Sequence, residues 1–285
     1  MNEFAFYFED SKSYFGIVRD ERLLFFKTIV NNLAKGTIVR ANSFRKLKAL
    51  DSYEVILPSG VKGILPFKDS LPITGQKILE ITHEANLQKA LRLSEKTQMV
   101  EKFKDEVNFT PSPAILYSDK FKLVKEKAKE FDIKFIKTNS LDLKNKLKDS
   151  FDIQFDKNYN PFYDYKISNL FSIKDKRKID LDSGISIYLD RLEALSVVDI
   201  NSGSFKLESK IKTAKYVNEF CVKHILNALV INEIKGIIII DAIRTDNKSL
   251  FRLIDIFKRE FELRKIIYDI SYTKNKLIEI LIRRN

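Results

Sequence analysis

Two aspartates stand where apolar runs end: Asp199 closes SVVD and Asp241 closes IIIID, and Asn201 follows the first by two residues, just ahead of Ser202-Gly203. A β-branched run that ends in a charge predicts a strand whose last residue emerges from a sheet. In an open α/β sheet, the crevice beyond the strand ends is where ligands bind. The two-residue period of a strand puts Asn201 on the same side as Asp199. If the two strands are neighbours, two carboxylates and an amide oxygen meet. These are hard ligands that suit Mg²⁺, with Mn²⁺ as the alternative, and leave places for water and a phosphate. An ion held there would neutralise a phosphodiester and orient the attacking water. For either aspartate alone, a cap on the following turn is the better reading. The pair, in a basic chain, tips the balance toward a cation site.

Other chemistries find little support. No glycine-rich phosphate loop and no nucleophile-elbow spacing occur. The two histidines, His83 and His224, fall in different expected units, so a metal-free nuclease built on a histidine pair is not expected; each is read as a surface or packing residue. One cysteine, Cys221, rules out an intramolecular disulfide and a multi-cysteine zinc site within the chain, and its helical apolar neighbours predict burial. Fifty-one Lys and Arg against 39 Asp and Glu give a formal charge of +12, which favours nucleic acid or an anionic surface as partner. A lysine-rich composition is the plainer explanation of that charge taken alone. No apolar stretch of about 18 residues is present, and MNEFAFYFEDSK carries acids where a signal peptide carries lysines, so a soluble cytoplasmic protein without membrane contact is expected.

The elements that must position the acids are read from periodicity. A length of 285 residues predicts two or more units. FAFYFED, SYFGIVRDE and RLLFFKTIV read as strands. From Ala34, five compact segments (KGTIVRANSF, KALDSYEVIL, VKGILPF, QKILEITHEA and KALRLS) fit a small OB-type barrel, a fold that often carries a single strand of nucleic acid. Residues 34–96 hold eleven Lys and Arg against six Asp and Glu, and Phe44, Tyr53 and Phe67 offer either stacking surfaces or core. A polar connector over 97–112 leads to the strand PAILYSD, a helix over 119–131 capped by Ser118, and the strand FDIKFIKTNS, a β-α-β rhythm; 139–181 reads as mixed, with a loop and a short helix. Then come GISIYLD, ALSVVDINSG, a helix over 208–230, KGIIIIDAI, a helix over 249–264, RKIIYDIS and a final helix over 274–284, which together make an α/β layer.

The order GISIYLDRLEALSVVDINSG, helix, KGIIIIDAI, then KLIEILIRRN resembles the catalytic region of the ribonuclease E/G family. There, I-x-I-D-x-T-E-A-L-x-x-I-D-x-N-S precedes a helix, G-G-L-I-V-I-D-F-I and a closing L-x-E-M-x-R-x-R. KGTIVRANSF and GILPFKD resemble the family's K-G-x-I and G-F-L-P barrel strands, and PFYDYKISNLFSIKDKRKIDLDSG resembles the segment leading into its catalytic region. The resemblance implies an α/β chain with a ribonuclease-H-like subdomain over 1–33 and 107–175. Into it is inserted an OB-type RNA-binding barrel over 34–96, and a DNase-I-like catalytic subdomain over 180–285 follows. It carries the family's two metal-binding aspartates onto Asp199 and Asp241 and its asparagine onto Asn201, and implies Mg²⁺-dependent cleavage of single-stranded RNA leaving a 5′-phosphate.

The sequence also departs from the family pattern. Only about a dozen residues separate the barrel from the returning subdomain, so the family's sensor of a 5′-monophosphate is not expected. No later C-x-x-C is present, so no zinc is expected and a homodimer, where formed, is not zinc-linked. LQKALRL stands in for the family's K-G-x-x-L-T, with Leu87 at the lysine, GILP has Ile64, and SFKLESK follows the first aspartate in place of an Arg- and Gly-rich loop. Lys35, Arg40, Lys62, Lys89 and Arg92 are the expected RNA contacts. The leading expectation is a metal-dependent endoribonuclease in RNA processing or decay. The alternatives are a non-catalytic RNA-binding protein of the same fold, acting in RNA or ribosome maturation, and a hydrolase of DNA or small phosphodiesters.

Overall fold

The strand-rich opening of the chain has its turns in the expected places. Asp20 and Glu21, at φ of 46° and 62°, form the two-residue left-handed connection that suits a tight hairpin. The computed structural model describes residues 3–29, 33–66, 75–83, 90–105 and 112–283. In chain order the elements begin with β1 (Glu3–Glu9), β2 (Ser13–Arg19), β3 (Arg22–Ile29), β4 (Ile38–Ala41), β5 (Phe44–Leu47), β6 (Ser52–Ile56), β7 (Lys62–Pro66), β8 (Lys77–His83), β9 (Leu91–Ser94), α1 (Gln98–Glu101) and β10 (Ala114–Tyr117). They continue with α2 (Lys122–Glu130), β11 (Phe135–Thr138), α3 (Leu141–Leu147), β12 (Asp152–Phe155), α4 (Ser168–Ser172), β13 (Lys178–Asp180), β14 (Ser186–Arg191), β15 (Leu195–Asn201), α5 (Lys210–Ile231), β16 (Gly236–Asp241), α6 (Asn247–Leu263), β17 (Tyr268–Tyr272) and β18 (Ile278–Ile282). The chain is mixed α/β, and it divides into two units: Met1–Asp10, Tyr14–Lys27 and Ala128–Asn285 in one, Ser11–Ser13 and Thr28–Lys127 in the other.

In the second unit the strands run β10-β4-β8-β9-β7-β6-β5. Only two residues separate β4 from β5, yet five strand spacings, roughly 24 Å if flat, lie between them; a two-residue link spans about 11 Å at most. The sheet must therefore roll up, and it does so around Val39, Tyr53, Val55, Leu57, Leu79 and Leu93. Tyr53 is part of this core, and Phe44 packs edge-on against it at 6.5 Å. Phe67 lies outside the described residues. β10 joins this sheet beside β4, so the unit extends well past residue 96.

The first unit holds two sheets. One has the order β12-β11-β1-β2-β3, with β1, β11 and β12 parallel. Phe171 of α4 sets its ring edge-on against Phe6 and Phe26 at 5.6 and 5.8 Å. The other has the order β13-β14-β15-β16-β18-β17. One of its faces, with Ile187, Val198, Ile200, Ile238, Ile240 and Ile280, is buried with residues of α5 and α6; alternate residues of β15, β16 and β18 are exposed or half-buried.

The final helix expected over 274–284 is instead the strand β18. It pairs antiparallel with β16 on one side and β17 on the other, and its burial alternates residue by residue. LIEILI is too short for helical periodicity to assert itself, and Ile278, Ile280 and Ile282 fill one face of a strand, where β-branched side chains pack well.

A buried polar cluster ties β3 to α5 and α6. The Arg264 guanidinium, sealed from solvent, donates to the Leu23 carbonyl (3.1 Å), to Asn227 Oδ1 (3.0 Å) and to the Glu260 carboxylate, while Arg22 Nε reaches Glu260 Oε1 at 2.9 Å. Asn227 Oδ1 also takes the Leu23 N–H at 2.9 Å. Burial alone would raise the Glu260 carboxyl, but the hydrogen bonds and charges of Arg264 and Arg22 hold it below the ordinary glutamate range. A depressed folded-state pKa gives stability that is complete above about pH 4.5 and lost as pH falls through the folded value. Glu260→Gln should therefore cost about 3 kcal/mol at pH 7, by stranding a buried guanidinium, and should flatten the acid limb of a plot of Tm against pH; identical acid limbs for variant and wild type would refute this. Cys221 is fully buried, and burial pushes its thiol up to about 12, so it should resist thiol-specific reagents at pH 8 until the protein is unfolded.

Candidate metal centre

Residues facing each other on neighbouring parallel strands lie about 4.8 Å apart and share a face. β15 and β16 are such neighbours, and their register sets Val197 beside Ile239, Val198 beside Ile240 and Asp199 beside Asp241. Because Val198 and Ile240 are drawn into the core, both aspartates point to the opposite face, and both are exposed. Partial burial and the adjacent Asp241 charge push the Asp199 carboxyl above its ordinary range, against the opposing effect of a backbone hydrogen bond from Ile200. Two like charges held side by side fit a divalent cation. Among the described residues no third Asp, Glu, His or Cys joins them.

Asn201 lies next along the same face of β15, opposite Ser186 on β14. Its Oδ1 accepts the Gly203 N–H at 2.8 Å, so the side chain shapes its own turn while one oxygen lone pair and the NH₂ group stay available. Gly203 has a φ of 53°, and a Cβ there would sit 2.0 Å from the Gly184 carbonyl oxygen, so no larger residue can hold this turn against the 182–184 loop.

The segment after Asp241 is fastened from behind. Asn218, 1% exposed in the middle of α5, donates through Nδ2 to the Ile243 carbonyl at 2.8 Å and accepts the Ile243 N–H at Oδ1, 3.0 Å. One side chain thus satisfies both backbone groups of the residue two beyond the acid. Sequence reasoning passed over Asn218; the signal it left is an amide amid Val217, Cys221 and Val222 on an otherwise apolar face. Beside Asp241 a cleft opens between the 242–245 segment and the β17–β18 turn.

The expected RNA contacts are scattered over the second unit. Lys62 and Arg92 are exposed on its outer surface, Arg92 standing beside Ile64 in the parallel β7–β9 pair. Lys62 shares the Glu54 carboxylate with Arg45, at 3.4 and 3.0 Å. Lys35 is exposed in the turn before β4. Arg40 is a correction: it is 3% exposed on β4, flanked by Ile78 and Ala114 on the two adjoining strands, and so is closed off from a phosphate. Lys89 lies outside the described residues.

Residues 76–284 match the Ribonuclease E/G family. Over 112 residues the chain is 35% identical to ribonuclease E of Synechocystis sp., covering 38% of this chain and 17% of that protein. Over 88 residues it is 33% identical to ribonuclease E/G-like proteins of Pyropia yezoensis and Porphyra purpurea, covering 30% of this chain and again 17% of theirs. The matched stretch is thus a small part of each relative's length. With the family match extending over most of its length, this chain belongs to the ribonuclease E/G family.

Proposed function

We propose that this protein is a metal-dependent endoribonuclease that hydrolyses single-stranded RNA in RNA processing or decay. The observation that carries the reading is the level placement of Asp199 and Asp241 on adjacent parallel strands. In this reading the two carboxylates hold Mg²⁺, or Mn²⁺, and Asn201 positions the first of them. The bound ion supplies charge neutralisation at the phosphodiester and orientation of the attacking water. Water adds to phosphorus, the bond to the 3′-oxygen breaks with proton transfer to that oxygen, and the downstream fragment leaves with a 5′-phosphate. Asn218 keeps Asp241 in place through Ile243, and Gly203 lets the 201–204 turn close against Gly184.

Strand order supports the finer fold reading. The order β3-β2-β1-β11-β12, with its last three strands parallel, is the order expected of a ribonuclease-H-like sheet. A first strand split into β4 and β5, with β7 parallel to β9, is what an OB-type closure would require. In this reading the barrel carries the single strand, with Lys35, Lys62, Lys89 and Arg92 among its contacts, and the six-stranded layer is the DNase-I-like catalytic part. No described helix is long and apolar enough to cross a membrane. A cytoplasmic site of action completes the proposal.

A labelled AU-rich single-stranded RNA incubated with and without Mg²⁺ tests it. Cleavage should require the metal and should fall by more than about 100-fold in Asp199→Asn and Asp241→Asn, with RNA affinity retained; even outer partners of metal ligands count on that scale. Tight binding without cleavage would favour the non-catalytic RNA-binding alternative, and cleavage of a matched DNA strand the broader hydrolase. Asn218→Leu should strand both Ile243 backbone groups, lower stability by about 1–3 kcal/mol and raise the Mg²⁺ concentration for half-maximal cleavage about 10-fold. A fall in Tm with an unchanged metal titration would reduce Asn218 to a structural role.

A further inference from the structure

We propose that Arg244 and Lys276 form a phosphate subsite next to the metal centre, gripping the RNA phosphate adjacent to the one cleaved. The inference deepens, and rests on, the reading of Asp199 and Asp241 as the cleavage site. Asp241, Arg244, Thr245, Asn275 and Lys276 line one cleft over the apolar floor of Leu250. The acid thus opens directly onto two cationic side chains, both exposed.

Three observations argue for a phosphate there. Arg244 forms no ion pair with any described residue, and it follows by one position the Ile243 backbone that Asn218 clamps, so its fork projects from a fixed stretch of chain. Lys276, at a left-handed φ of 64° in the β17–β18 turn, donates to the Thr245 carbonyl at 3.1 Å. That bond uses one of three ammonium protons and bridges the two walls of the cleft, leaving the charge facing it. The nearest acid along the chain beyond Asp241 is Asp246, and it is committed to capping α6, taking the Ser249 N–H at 2.8 Å and the Ser249 hydroxyl at 2.9 Å. Among the described residues, Asp241 is the single carboxylate lining the cleft. Within the cleft two cations stand against that one carboxylate, so its lining is net positive without any ion, and a guanidinium fork beside an ammonium matches the oxygens of a phosphodiester.

The test reads binding without catalysis. Affinity for a short labelled single-stranded RNA is measured by fluorescence anisotropy in EDTA, over about 50 to 200 mM salt, the range in which counterion release dominates. Arg244→Ala and Lys276→Gln should each weaken binding about 5-fold whatever the RNA sequence, and each should lower the slope of log affinity against log salt by about 0.7, the value of one lost contact to a single strand. Asp199→Asn, which removes a carboxylate instead, should not lower the slope, and thermal melts establish that each variant is folded. Wild-type affinity and slope in both folded variants would overturn the subsite. If wild type fails to cleave while the variants lose slope, the subsite stands and the hydrolytic reading falls. If wild type cleaves and the slopes are unchanged, only the subsite falls.

Discussion

Parallel registration of β15 with β16 is the constraint on which the rest of the site depends. Slipping one strand by a single residue would turn Asp199 toward the core and Val198 toward water, since side chains alternate faces. What forbids the slip is packing: Val198, Ile200, Ile238 and Ile240 must all meet the residues of α5 and α6. The geometry of the acid pair is thus a by-product of core formation, and the same apolar contacts that stabilise the layer bring two acids level at the ends of two neighbouring strands. Asn218 and Gly203 refine what registration begins, each at the first turn beyond an acid.

The arrangement carries an internal conflict. Two carboxylates about one strand spacing apart repel, and after partial burial that repulsion is the second cause of the raised pKa of Asp199. A protein with no use for the pair would be more stable with one member neutral. The layer offsets that repulsion elsewhere, as in the Arg264, Glu260 and Asn227 cluster, where every guanidinium nitrogen of Arg264 has a partner. A bound cation would turn the repulsion into attraction and add its own binding energy to folding.

Much of this could be read in the sequence, because charge at the end of a β-branched run and helices of two dozen residues leave strong local patterns. Asp199, Asp241 and α5 were legible for that reason. The adjacency of β15 and β16 was not, since pairing between residues some forty apart leaves no local mark. LIEILI misled because six residues fit either period, and the choice was made by two partner strands. Arg40 misled because charge suggests exposure, whereas its strand is flanked on both sides by others. Asn218 was hidden because an amide on a helix carries no sign of the backbone it will clamp.

The position of β18 has a consequence for how the protein comes into being. It lies between β16 and β17, so when the ribosome has made residue 272 the acid-bearing strand still presents a bare isoleucine edge. That edge is an invitation to pairing with other nascent chains, and it closes once Ile282 has cleared the exit tunnel. The half of the layer that carries the acid pair therefore matures after the rolled sheet of the second unit has been synthesised.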